Sequence, residues 1–356
     1  MPLFIEGRVP PRWAEHHGSA GVPGTFAGHA DCIKVAFVNN MPDAALEDTE
    51  MQFFELLDAA ADDTPIRVKL YSLPEIPRGG RAQEHLGNYY RSVADLFDGH
   101  FDGAIITGTE PRQPNLKQEP YWDTLASILD WAERHTASTV LSCLAAHAGV
   151  LHSDGISRRP LPDKQFGVFD FRKTSEHALT NRTPDVLRIP HSRWNEAPAA
   201  ALASCGYTLL TESTDAGADL FVKKKKRSLF VHFQGHPEYG ALTLLKEYRR
   251  DIRRFLCKER ETYPTMPHGY FDAGAAKLLN DFREVAMAQQ DEKVMANFPE
   301  AAVVGTLQKT WHPSANRVYS NWLRYVESNR VEKVVFSPLS GARADGMLDA
   351  THAPKK

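Results

Sequence analysis

Short apolar runs alternate with amphipathic stretches from residue 33 to residue 142. The run Ile33-Lys34-Val35-Ala36-Phe37-Val38 predicts a strand that ends at Asn39-Asn40-Met41-Pro42. Apolar residues then recur at helical spacing through Glu50-Met51-Gln52-Phe53-Phe54-Glu55-Leu56-Leu57. Ile66 to Leu73 reads as the next strand, Ala82 to Phe97 as a helix, and Gly103-Ala104-Ile105-Ile106 as a third strand closing on Thr107-Gly108. Trp122 to His135 is helical in pattern, and Ser138-Thr139-Val140-Leu141-Ser142 is the strand that follows. Strands that are apolar throughout, not alternating, are buried on both faces. Their regular alternation with helices predicts an α/β fold: a parallel sheet covered by helices on both sides, in three layers.

Past residue 143 the pattern is mixed. Gly167 to Phe171, Val186 to Ile189, Tyr207 to Leu210 and Leu220 to Val222 read as strands joined by polar turns, and Leu229 to Phe233 returns to the core. Helical patterns close the chain at Ala241 to Lys258, at 273 to 291 and at about Ala315 to Glu327. Residues 1 to 31, rich in Gly, Pro, His and Ala, are expected to form a loosely ordered arm. Residues 32 to 330 are expected to form one domain, and 331 to 356 a disordered tail.

Composition narrows the class. The chain has 356 residues, 42% hydrophobic and 24% charged, with a formal net charge of −3. That balance is ordinary for a soluble globular protein and gives no global attraction to nucleic acid or anionic membranes. The basic run Lys223 to Arg227 lies between strand-like segments and reads as a solvated hairpin turn. The four cysteines, Cys32, Cys143, Cys205 and Cys257, show no CxxC spacing, so neither a zinc site nor a disulfide framework is expected. No apolar run approaches the roughly 20 residues that span a bilayer. Cytoplasmic residence is the default expectation, and a free thiol survives there.

The chemistry concentrates at Cys143, where an apolar strand meets the small-residue helix start Leu144-Ala145-Ala146-His147-Ala148-Gly149. A second apolar strand ends in Gly235-His236-Pro237-Glu238-Tyr239. A thiol at a strand-to-helix turn, with a histidine and a carboxylate just past another strand, is the layout of a cysteine nucleophile, its base and the group that orients the base. An ordinary thiol, of pKa about 8.5, is only a few per cent thiolate at neutral pH, so it needs that base. His236 and Glu238 are two apart and share a face in an extended segment. His147, four after Cys143, is spaced to be considered as a base on its own helix turn. No histidine pair has metal-ligand spacing, and no metal is expected.

These residues carry a resemblance. With Asn40-Met41-Pro42, Thr49-Glu50, Gln52-Phe53, Phe101-Asp102-Gly103, Thr107-Gly108, Tyr121-Trp122, Pro190-His191-Ser192-Arg193, Arg250-Asp251 and Asn321-Trp322-Leu323, the chain resembles the homoserine O-succinyltransferase family over roughly 33 to 330. That family shares the flavodoxin-like, class I glutamine amidotransferase-like fold, with helical additions at the C-terminus. The resemblance implies that Cys143 takes an acyl group from acyl-CoA as a thioester, with His236 as base and Glu238 as its orienter. It also implies that Lys164, Ser192 and Arg250 hold a small amino-acid acceptor, homoserine in methionine biosynthesis, and that the enzyme is a homodimer. Acyl-CoA is then a co-substrate and no resident cofactor is expected.

Two departures bear on substrate choice. The family usually has lysine directly after Met-Pro; here the segment is Asp43-Ala44-Ala45-Leu46-Glu47-Asp48, longer and without a cation. The position that reads the acyl group aligns with Arg112, which could block a long chain or pair with a succinyl carboxylate. Acetyl-CoA as donor therefore stays open, with charge favouring succinyl, and so does L-serine as acceptor, since the one methylene between serine and homoserine is worth only about 1–3 kcal/mol of discrimination. Two other classes also remain: an amidotransferase-like hydrolase, disfavoured by Leu141 and Ala145 where that group has glycines, and a non-catalytic binding homologue.

Overall fold

A computed structural model describes residues 2–17 and 32–330. Its strands are β1 (Leu3–Ile5), β2 (Ile33–Val38), β3 (Ile66–Tyr71), β4 (Gly103–Ile106), β5 (Ser138–Ser142), β6 (Arg159–Lys173), β7 (Val186–Glu196), β8 (Thr208–Leu209), β9 (Thr211–Ser213), β10 (Gly217–Ala218), β11 (Leu220–Lys225) and β12 (Ser228–Phe233). One sheet of eight has the order β1-β3-β2-β4-β5-β12-β11-β8. It is parallel from β1 to β12, and β11 and β8 run antiparallel at one side. A second, antiparallel sheet has the order β10-β9-β6-β7.

The pleat of β2 sorts its side chains between two cores. Ile33, Val35 and Phe37 enter one core with Phe53, Phe54, Leu56 and Leu57 of the helix Asp43–Ala60 and Val318, Trp322 and Val326 of the helix His312–Ser328. Ala36 and Val38 enter the other, with Leu125, Ile128 and Leu129 of the helix Trp122–His135 and with Leu144 and Ala148 of the helix Leu144–Asp154. The sheet is thus apolar on both faces, as the uninterrupted strands required. A third cluster packs the helix Thr243–Leu256 and the helix Ala273–Gln289 around Phe166 and Val168 of β6. This cluster joins the C-terminal helices to the second sheet.

Two expectations need correction. Residues 3–5 and 11–17 are not a loose arm: β1 pairs in parallel with β3, and the helix Pro11–His17 buries Trp13. The Trp13 ring sits edge-on to Phe54 at 5.5 Å, an apolar anchor strong enough to order a short segment. The expected helix Ala82–Phe97 is two helices, Gly80–Tyr89 and Val93–Phe97. Between them Arg91 N–H donates to Leu70 O at 2.9 Å, which draws the chain to the sheet, and Ser92 caps the second helix. The expected tail, 331–356, lies outside the described residues. The basic run spans the end of β11, Lys223 to Lys225, and the turn of the β11–β12 hairpin, with Lys225 opposite Ser228. Lys223 and Lys225 pair with Asp154, and Lys226 with Glu133.

Burial sets an acid limit on the fold. It pushes His147 and His191 down to about 4 and His232 to about 3. Each is neutral when folded and binds a proton on unfolding below the ordinary histidine value of about 6.5. Stability is therefore present above that value and lost as pH falls towards the folded values, at up to about 1.4 kcal/mol per pH unit for each histidine. His232 stacks on Phe221 at 4.7 Å, and its Nδ1 is buried with no hydrogen-bond partner among the described residues. His232→Phe keeps the ring and removes the proton site. Its urea midpoint should fall less steeply than the wild type's between about pH 6.5 and pH 5; parallel slopes would show that His232 is not part of the limit.

Candidate functional site

β5 and β12 are adjacent parallel strands with Ser142 opposite Phe233. The next residue, Cys143, continues the ladder, its N–H donating to Phe233 O at 2.8 Å. The thiol and the 235–238 segment therefore leave the sheet side by side at its carboxyl edge, where open parallel sheets bind their ligands. Cys143 has φ 53° and ψ −110°, a backbone conformation that a residue with a Cβ adopts only under constraint. The constraint is the strand on one side and the helix Leu144–Asp154 on the other. As first residues of that helix, Leu144 and Ala145 have no intrahelical acceptor for their N–H groups. Gly108, past the end of β4, packs on Leu144, and a Cβ there would come within 2.9 Å of Leu144 N.

His236 Nδ1 lies 2.8 Å from Glu238 Oε1. A carboxylate only accepts, so Nδ1 carries the proton and Nε2 is the nitrogen left for the nucleophile. Burial opposes charge on His236, but the Cys143 and Glu238 charges, each with a hydrogen bond to the ring, outweigh it and hold the imidazole well above its ordinary value. Tyr239 stacks on the ring at 4.2 Å.

A second layer holds this segment from behind. Asp219 Oδ1 accepts from Gly235 N at 2.7 Å, and His236 N–H donates to Pro190 O at 2.8 Å. His191 stands 3.4 Å from Asp219, and its Nδ1 accepts from Arg193 Nε at 3.1 Å. A Cβ on Gly235 would lie 2.6 Å from His191 Nε2, so only glycine lets the ring pack there. Nothing in the local sequence marks Asp219; its part comes from the approach of β11 to the loop after β12.

The expected acceptor residues also meet. Lys164 on β6, Ser192 on β7 and Arg250 on the helix Thr243–Leu256 surround Glu247, which sequence reasoning missed. Lys164 Nζ lies 3.3 Å from Glu247 and 3.2 Å from Asp251, and Ser192 Oγ donates to Glu247. Arg250 pairs with Asp251 at 3.1 Å and is half-exposed. Tyr239 Oη donates to Glu247 Oε1 at 2.8 Å, linking this cluster to the His236 ring. The spacing of Glu247 and Arg250, one helical turn apart, is the signal that could have found the carboxylate.

Other sequence candidates are placed differently. His147 Nε2 donates to Gln234 Oε1 at 2.9 Å, an oxygen fixed as acceptor because Ala197 N–H also donates to it, so that nitrogen cannot serve as a base. Arg112 is exposed, and its backbone N–H donates to Glu119. Beside the 43–48 segment the cations Arg12, Arg78 and Arg81 pair with Asp48, Asp43 and Glu47. Burial pushes Arg158 and Arg193 down, and the Cys143 charge is among those that offset it for both. Among the described residues no group of three or more metal-ligating side chains and no helix long and apolar enough to cross a membrane is found.

The family model described as homoserine O-succinyltransferase matches residues 25–332. A homoserine O-succinyltransferase of Rhodopseudomonas palustris is 44% identical over 83% of this chain and 88% of its own length. Relatives of the same name from Bradyrhizobium japonicum, at 43% over 83% and 90%, and Thiothrix nivea, at 38% over 91% of each, are also similar. A glutamine amidotransferase structure from Thermotoga maritima aligns with a TM-score of 0.44 at 12% identity, covering 83% of this chain and 98% of that one.

The electrostatic coupling at Cys143 has a direct test. Cys143→Ala removes the charge that raises His236, so a nuclear magnetic resonance titration should find the His236 pKa lower in the variant than in the wild type. An unchanged value would break the coupling. The sign for stability follows: a raised histidine contributes fully below about 6.5, and the contribution is lost as pH rises through the folded value.

Proposed function

The chain belongs to the homoserine O-succinyltransferase family, and on that premise we propose that it transfers a succinyl group from succinyl-CoA to the hydroxyl of homoserine, in methionine biosynthesis. The observation that supports the mechanism most is the buried His236, bonded to Glu238 on one side and coupled to Cys143 on the other. Cys143 Sγ attacks the thioester carbonyl, CoA leaves as the thiol with a proton from His236, and the acyl group stays on sulfur. The homoserine hydroxyl then attacks the Cys143 thioester. His236 Nε2 takes its proton, and the Cys143 sulfur is the leaving group. In both steps the oxyanion is served by the free N–H groups at the start of the helix Leu144–Asp154.

The acceptor's charges fit the cluster beside it. Arg250 suits the α-carboxylate through its planar fork, and Glu247 offers a carboxylate to the ammonium. Lys164 and Ser192 position Glu247 through their bonds to it. Arg112 lies exposed in the loop after Gly108, its backbone N–H held by Glu119. Cytoplasmic residence and a homodimer belong to the same proposal: a free nucleophilic thiol survives in a reducing compartment, and the dimer is carried over from the resemblance. Acyl-CoA is consumed as a substrate, and no resident cofactor is invoked.

Mixing the protein with succinyl-CoA in the absence of homoserine should release CoA and add one succinyl group to the peptide containing Cys143, read by mass spectrometry. Homoserine should then discharge it, and Cys143→Ala should show neither event. His236→Ala should lower kcat by roughly 10²- to 10⁴-fold. An unmodified thiol with succinyl-CoA and acetyl-CoA alike would refute acyl transfer and favour a binding protein.

A further inference from the structure

The loop that begins at Gly108 is tied down from two directions. Glu119, buried, accepts from the N–H groups of Arg112 and Gln113 at 2.5 and 2.6 Å. Arg158, in the link between the helix Leu144–Asp154 and β6, donates from Nη2 to Gln113 O at 3.0 Å and Pro114 O at 3.1 Å. Because Gly108 packs on Leu144, this loop starts directly beside Cys143.

Arg158 is partly buried, and its Nε and Nη1 make no hydrogen bond among the described residues. Burial lowers its pKa, and the charges of Tyr121, Glu119 and Cys143 offset part of that. It also acts on His147, one turn along the helix from the nucleophile. Arg193, the other arginine coupled to Cys143, has no such freedom: Nε, Nη1 and Nη2 donate to His191, Asn195 O and Ala216 O.

We propose that Arg158, tied through Gln113 and Pro114 to the loop that starts beside Cys143 and with donors left uncommitted, receives the terminal carboxylate of the acyl group carried on Cys143 and so selects a dicarboxylic acyl chain over acetyl. A succinyl carboxylate is two methylenes beyond the thioester carbonyl, so an acyl group on sulfur reaches a cation near that sulfur. The phosphates of CoA sit at the far end of the pantetheine arm and would use a more distant cation. This rests on the acyl-transfer reading and assigns the residue that makes the choice.

The test compares kcat/KM for succinyl-CoA and acetyl-CoA in the wild type, Arg158→Gln, Arg158→Lys and Arg112→Gln. Arg158→Gln should lower the succinyl-to-acetyl ratio on the order of 10- to 100-fold, the range of a lost charge-assisted hydrogen bond. Arg158→Lys, which keeps the charge but not the fork, should restore part of it, and Arg112→Gln should leave it near the wild-type value. Equal losses with both thioesters would place Arg158 on the CoA phosphates or in loop structure alone and overturn the proposal. A ratio that moves only in Arg112→Gln would transfer the role to Arg112. Failure of the wild type to release CoA from either thioester would refute acyl transfer itself, a result seen before any variant is made.

Discussion

The hydrogen-bonded register between β5 and β12 is the constraint on which the site depends. Ser142 lies opposite Phe233, and the ladder runs one bond further into Cys143. Because the side-chain period of a strand is two, a slip of one residue would turn the thiol to the other face and separate it from His236. Buried polar contacts protect this register. Asp219 holds Gly235, Pro190 holds His236, and the 190–193 strand fills the space under Gly235. The strained turn at Cys143 persists because elements on both sides of it are fixed.

Around that register the site is organised by charge. His236 is buried, a cost that the Cys143 and Glu238 charges outweigh. The acceptor side repeats the principle: Glu247 and Asp251 are set among Lys164, Arg250 and Ser192, so that no charge there is left alone. Tyr239 touches both halves, with its ring on His236 and its hydroxyl on Glu247. A change in acceptor charge can thus reach the base through one side chain. Arg158 completes the arrangement on the acyl side.

The parts legible in the sequence were those written locally. Continuous apolar strands and helical spacing gave the layered sheet, and Cys143, His236 and Glu238 stood out because each follows an apolar strand directly. The N-terminal strand and helix were missed because three residues of β1 carry no periodicity. Trp13 acts through a distant ring, Phe54. The break at Tyr90–Ser92 was hidden because a bond to Leu70, not a helix breaker, makes it. Asp219, Glu247 and Arg158 were missed for a related reason. Their partners lie on other elements, and no spacing rule within one segment connects Arg158 to Gln113 and Pro114.

The central claim is that His236 activates Cys143 across the two strand ends. Alkylation by iodoacetamide at neutral pH, followed at the Cys143 peptide by mass spectrometry, tests it without any substrate. The exposed Cys257 serves as the internal reference in the same sample. The account predicts that His236→Ala slows reaction at Cys143 by on the order of tenfold or more while Cys257 reacts as before. Equal rates at Cys143 in the two proteins would contradict it.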